Sequence, residues 1–220
     1  MKAVLFDLGG TLVKTAPPPR VFRRILRSHG IQKPLADISS AFKKVERQQS
    51  IDDYQLPYEE FWRTYNTRIL ELLQVDGDFG KLADTITDEW WDNADLTLFP
   101  DAKETLLMLK ERGLKVGLVT NGFQKDIDDI LSRTGLTGIF DVTVGADAVR
   151  KPKPEKEIFV YAINKLVVRT QEALFVGDNA KTDYEGSRKA GLKPILIDRN
   201  NEVKKRIRKI RDLRGVMAFI

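Results

Sequence analysis

The sequence predicts an α/β protein: a parallel sheet core interrupted by an inserted all-helical domain. Three observations predict it. Short apolar runs ending in Gly, Asp or Thr recur along the chain, as strands buried on both faces do. Helix-period stretches separate the later runs. Residues 15–98 break that alternation, with helical spacing and no clear strand.

The first run, residues 2–6, is apolar and leads into Asp7-Leu8-Gly9-Gly10-Thr11. Four helical stretches come next, near 18–29, 35–49, 57–74 and 79–93. Val21, Ile25 and Leu26, then Phe61, Tyr65, Ile69 and Leu72, recur one helical turn apart. Phe61, Trp62, Tyr65, Trp90 and Trp91 are expected in the core of this insertion, and His29 at a helix end, where a cation suits the dipole. The alternation resumes with helix 100–112 closed by Gly113, strand 115–119, helix 124–133 closed by Gly135 and strand 140–144. Helix 154–166, strand 173–176, helix 181–190 closed by Gly191 and strand 194–197 complete it. The expected domains are 1–14 with 99–220, and the helical insertion 15–98.

Composition narrows the chemistry. The 220 residues include no cysteine, which excludes disulfides, thiolate zinc sites and a cysteine nucleophile. His29 is the only histidine, so no multi-histidine metal site exists. No apolar run approaches the roughly 20 residues that span a bilayer, and the N-terminal run is too short for a signal peptide; no membrane role and a cytoplasmic location are expected. The net charge of +5 is local: residues 199–220 carry +6 and the rest of the chain −1. A basic body for nucleic acid is therefore not implied. Ile207 and Ile210 within the basic run suggest a terminal helix with its apolar edge on the core, in preference to nucleic-acid or anionic-membrane binding.

Ligands of open parallel sheets gather at the carboxyl ends of the strands. The first apolar run ends at Asp7, with Gly9, Gly10 and Thr11 close behind. Strand 115–119 leads into Thr120-Asn121-Gly122, and strand 140–144 into a loop that reaches Lys151-Pro152. Strand 173–176 leads into Gly177-Asp178, with Asp183 five residues beyond Asp178. Crowded carboxylates repel unless a cation joins them, and an oxygen-only ligand set suits Mg²⁺.

Those four segments, in that order, resemble the motifs of the haloacid dehalogenase superfamily of hydrolases. The resemblance implies a Rossmann-like core, with the insertion as a C1-type helical cap over the active site. It also implies a Mg²⁺-dependent phosphohydrolase acting on a small phosphorylated metabolite, as a monomer or homodimer. Residue by residue, Asp7 would be the nucleophile, forming an aspartyl-phosphate. Thr120 would bind a phosphoryl oxygen, with backbone N–H groups at Gly10 and Asn121 as further donors. Lys151 would hold Asp7 and the phosphoryl group by charge. Asp7, Asp178 and the Gly9 carbonyl would ligate Mg²⁺, with Asp183 in its first or second shell.

Two departures matter. Phosphatases of the family usually carry an acid–base aspartate two residues after the nucleophile; here that residue is Gly9. This leaves open a specialised phosphatase, carbon–halogen cleavage as in 2-haloacid dehalogenases, and a weakly active protein that binds a phosphorylated ligand. The paired Asp178 and Asp183 favour the metal-dependent phosphatase. Second, the family stretch Lys-Pro-x-Pro-x-Ile-Phe is about two residues longer here, from Lys151 to Phe159, so Lys153 rivals Lys151. Lys151 is preferred because it directly precedes the first proline.

Overall fold

A computed structural model describes all residues, Met1–Ile220. The chain begins with β1 (Ala3–Phe6) and β2 (Val13–Lys14), then the helices α1 (Pro18–Ser28), α2 (Leu35–Gln48), α3 (Tyr58–Leu72), α4 (Phe79–Asp88) and α5 (Trp90–Asn93). It continues through β3 (Thr97–Leu98), α6 (Ala102–Glu111), β4 (Lys115–Val119), α7 (Gln124–Thr134), β5 (Val142–Val144) and α8 (Lys156–Leu166). The last elements are β6 (Ala173–Gly177), α9 (Gly186–Lys189), β7 (Lys193–Ile197) and β8 (Lys209–Ile210). The chain divides into two compact units, Met1–Lys14 with Thr97–Ile220, and Thr15–Leu96.

The first unit holds a six-stranded sheet in the order β5-β4-β1-β6-β7-β8, with every pairing parallel. This is the Rossmann-like architecture the alternation predicts. β1 lies inside the sheet and all four of its residues are fully buried, which is why its sequence is continuously apolar rather than alternating. One layer of core joins Leu5, Val119 and Phe175 of the sheet to Ile158, Phe159 and Ala162 of α8. Phe159 meets Phe175 edge to face, with centroids 5.0 Å apart.

β2 and β3 form a separate antiparallel pair, Val13 with Leu98 and Lys14 with Thr97. Thr97 and Leu98 thereby belong with the sheet unit. Arg199, just beyond β7, secures this region: it bonds both Asp101 oxygens (2.8 and 3.1 Å) and the Thr11 carbonyl (2.9 Å), and stacks over Phe99.

The second unit is helical. Val21, Phe22, Ile25 and Leu26 of α1 pack with Ile38, Phe42 and Val45 of α2, Ile69 and Leu70 of α3, and Ala83 and Ile86 of α4. Tyr65, Trp90 and Trp91 pack against this cluster while partly buried, and Phe61 is buried. The expected helix 79–93 is broken at Glu89 into α4 and α5. His29 caps α1 and its Nε2 lies 2.9 Å from Glu89 Oε1.

The basic C-terminal run forms no α-helix. Residues 200–208 make a largely exposed connection, β8 adds to the sheet edge with Ile210 opposite Ile197, and 3₁₀ turns cover Leu213–Phe219. Ile210 is buried as a strand residue, so the spacing from Ile207 does not mark a helical face.

α7 and α8 end differently. Gly135 terminates α7 in the left-handed region at φ 67°, the usual stop. At the same position after α8 stands Val167, φ 55° and 83% exposed. A β-branched residue there is strained by roughly 1–2 kcal/mol. Val167→Gly is expected to raise unfolding stability by about 1 kcal/mol in urea titration; an unchanged or lower midpoint would contradict the strain.

Candidate active site

The site lies at the carboxyl ends of β1, β4 and β6, neighbours in the sheet. β1 delivers Asp7, which is 6% exposed and donates its backbone N–H to the Val176 carbonyl at 2.9 Å. Thr11 Oγ1 donates to Asp7 Oδ2 at 3.1 Å. β6 delivers Asp178. The next residues, Ala180–Glu185, form a π-helical turn, a local widening found often at functional sites. Asn179 caps that turn: its Oδ1 accepts from the N–H groups of Lys181 and Thr182 at 2.9 and 3.0 Å. The turn brings Asp183 back into the interior.

At the centre is a lysine. Lys153 Nζ lies 2.7 Å from Asp7 Oδ1, 2.7 Å from Asp183 Oδ1 and 3.1 Å from the Val119 carbonyl. An ammonium has three protons to donate, and all three are used. Lys153 is only 4% exposed. Burial alone would lower its pKa, but the charges of Asp7 and Asp183 outweigh burial and hold it above the ordinary lysine value.

This corrects the expectation for Lys151. Its Nζ pairs with Glu157 Oε1 at 2.7 Å, at an exposed position remote from Asp7's hydrogen bonds. The physical reason is register. Ile158 and Phe159 are fully buried and fix α8, and the two extra residues are absorbed before Lys153. Counting the family spacing back from Ile158, rather than forward from the first proline, selects Lys153; that signal was present in the sequence.

One carboxylate oxygen from each of Asp7, Asp178 and Asp183 lies within 4.8 Å of the other two. Burial raises the Asp7 pKa, Lys153 opposes the rise and Asp183 adds to it. Asp178, although open to solvent, is pushed up to about 6, first by partial desolvation and then by Asp7 and Asp183. The three differ in what already neutralises them. Asp183 is engaged on both oxygens, by Lys153 and by the Asn179 N–H at 2.9 Å. Asp178 has no cationic partner among the ion pairs of the protein. The donor set fits a hard divalent cation; Asp178 is the member without a cationic partner, while Asp7 and Asp183 both bond Lys153.

Two glycines create room for these groups. At Gly10, φ 77°, a Cβ would overlap the Asp178 carboxylate, and at Gly177 it would fall 2.5 Å from Asp183 atoms. Gly9 is different: a Cβ there meets nothing within 4 Å. The Gly10 N–H, expected as a phosphoryl donor, instead donates to the Val13 carbonyl at 2.8 Å and closes the turn after Asp7. Thr120 directly follows β4 and is buried; its Oγ1 accepts from Gly122 N–H at 3.3 Å, leaving the hydroxyl proton available. The Asn121 side chain is turned to the Lys153 backbone.

These features define an α/β enzyme core with a carboxylate–lysine centre at its strand ends. The chain belongs to the haloacid dehalogenase-like hydrolases: the family model of that description matches residues 1–191. It is 29% identical over 202 residues to a glyceraldehyde 3-phosphate phosphatase of Methanopyrus kandleri, covering 90% of this chain and 84% of that protein. Among solved structures it resembles a HAD phosphatase from Thermococcus onnurineus, with TM-score 0.72, 29% identity and coverage of 100% and 97% of the two chains. A 2-haloacid dehalogenase from Pseudomonas syringae, at TM-score 0.76, 22% identity and 99% and 97% coverage, shares the fold. No helix is long and apolar enough to cross a membrane.

Removing one member of a buried ion pair leaves its partner uncompensated, at about 3–5 kcal/mol. Lys153→Met should therefore destabilise the protein by about that amount at neutral pH, while Lys151→Met, at an exposed pair, should change it by less than about 1 kcal/mol. Urea unfolding of both variants checks this; equal effects would contradict the assignment of Lys153 as the central cation.

Proposed function

We propose that this hydrolase is a Mg²⁺-dependent phosphatase of small phosphorylated metabolites, with Asp7 as its nucleophile. The observation that carries the reading is the buried Asp7–Lys153–Asp183 arrangement beside Asp178. The phosphatases among its relatives support the substrate class.

An Asp7 oxygen attacks phosphorus in line with the leaving group. The new O–P bond forms as the bond to the leaving oxygen breaks, and that oxygen takes a proton from water. A second water attacks the aspartyl-phosphate, releasing inorganic phosphate and restoring Asp7. Lys153 and Thr11 fix the carboxylate, and Thr120 donates its hydroxyl proton to a phosphoryl oxygen. The Asn121 N–H is a second donor. Asp7, Asp178 and the Gly9 carbonyl would hold a divalent cation, which would supply charge neutralisation for the incoming phosphate. Held in place before the reaction, these charges and donors stabilise the developing anion without reorganisation.

Gly9 shapes the substrate range. With no carboxyl group at that position, expulsion of a poor alkoxide lacks the general acid worth about 10²–10⁴-fold. Aryl and acyl phosphates, whose leaving groups need no proton, are the favoured substrates. The open space at Gly9 accommodates a side chain, so glycine is not required there for packing.

Wild-type protein is expected to hydrolyse p-nitrophenyl phosphate and acetyl phosphate with Mg²⁺, and Asp7→Asn to reduce both to background. Gly9→Asp should raise turnover of an alkyl phosphate more than that of the aryl ester. Retained activity in Asp7→Asn would sink the mechanism. Halide release from 2-haloacids in chelator would select dehalogenation, and absence of turnover on every ester would select a phospho-ligand-binding protein.

A further inference from the structure

Asn121 makes an unusual pair of contacts. Its Oδ1 accepts from the Lys153 backbone N–H at 2.6 Å, and its Nδ2 donates to the Lys153 carbonyl at 3.0 Å. One carboxamide thus satisfies both main-chain polar groups of a residue 32 positions away. The pairing resembles one rung of a β-ladder, supplied by a side chain.

The local sequence explains why the loop depends on it. Lys153 stands between Pro152 and Pro154, neither of which has an N–H. Within those three residues, the Lys153 N–H is the single main-chain donor, and it goes to Asn121. The loop has no ladder of its own; its internal bond is Glu155 N–H to the Pro152 carbonyl at 3.0 Å. On the other side Gly186 approaches closely, since a Cβ there would lie 2.9 Å from Pro154 Cα.

The same strand end holds both ends of the lysine. Val119, the last residue of β4, accepts from Nζ, and Asn121, two residues on, grips the backbone. Lysine has a flexible four-carbon stem. Three acceptors fix its head, but their geometry is met only if the Cα is fixed too.

We infer that Asn121 is a positioning residue: its carboxamide clamps the Lys153 main chain and so sets the ammonium between Asp7 and Asp183. This rests on the reading of Lys153 as the cation that holds the nucleophile, and goes beyond it. The backbone N–H of Asn121 is a separate matter, because substitution of the side chain leaves that N–H in place.

The test is a mutant cycle read by steady-state hydrolysis of p-nitrophenyl phosphate with Mg²⁺, using full-length Asn121→Ala, Asn121→Asp, Lys153→Met and the double variants. Asn121→Asp keeps the shape and the acceptor but turns an oxygen toward the Lys153 carbonyl, so it should fail like alanine. Each Asn121 variant is expected to lower kcat about tenfold to a hundredfold with little change in KM. In the Lys153→Met background the same substitutions should cost nothing further. Unchanged kcat in both Asn121 variants, or the full loss retained without Lys153, would overturn the inference. Wild-type turnover in Lys153→Met would instead overturn the site reading itself. Should the Lys153→Met chains fail to fold or to turn over, amide hydrogen exchange decides. The Lys153 N–H should exchange faster in Asn121→Ala, which removes its acceptor, while the Thr120 N–H, bonded to Val144, keeps its protection. Unaltered Lys153 protection would overturn the clamp.

Discussion

The active end of this protein is organised by one buried ammonium. Lys153 is buried, 4% exposed, and an unpaired charge there would cost several kcal/mol. It is tolerated because three acceptors from three different segments converge on it: Asp7 after β1, Val119 at the end of β4 and Asp183 in the turn after β6. Each segment is in turn fixed by something the ammonium does not supply. Asp7 hangs from the β1–β6 pairing through its N–H to Val176, Val119 ends a strand in the sheet interior, and Asp183 is set by the π-helical turn that Asn179 caps.

The charge balance of the centre then dictates its chemistry. Three carboxylates and one ammonium leave two net negative charges within a small volume. Such a site repels a phosphate ester, so the proposed attack of a carboxylate on it calls for a further cation. Asp178 is the carboxylate that lacks a cationic partner, and its pKa is raised first by partial desolvation and then by the charges of Asp7 and Asp183. Gly10 and Gly177 leave the space in which these carboxylates approach one another. Gly9 answers no such steric need; in the proposed mechanism its consequence is chemical, in the class of leaving group the centre expels.

Much of this was legible in the sequence because it is local. β1 reads as a doubly covered strand, Asp7, Thr120 and Asp178 come at the ends of apolar runs, and Gly135 stops α7 where its sequence says. The features hidden from the sequence are non-local or depend on register. The β2–β3 pair joins two-residue strands across the whole helical insertion, and no periodicity exists in two residues. The C-terminal isoleucines suggested a helix, but one spacing of three is equally met by a connection leading into an edge strand, and the pairing of Ile210 with Ile197 decides it. Lys151 and Lys153 both precede a proline, and only the buried Ile158 and Phe159 of α8 distinguish them. Gly10 was read as a donor because it lies beside the nucleophile; the turn it closes uses that N–H.

The proposed chemistry depends on the negative charge beside Asp7 recruiting a divalent cation through Asp178. Isothermal titration of the protein with Mg²⁺ tests this without reference to any substrate. One ion per chain should be taken up at neutral pH, and Asp178→Asn should lose that uptake. Binding should weaken as pH falls through about 6, where Asp178 takes up a proton in competition. Absence of Mg²⁺ binding at neutral pH, or equal uptake in Asp178→Asn, would contradict the recruitment.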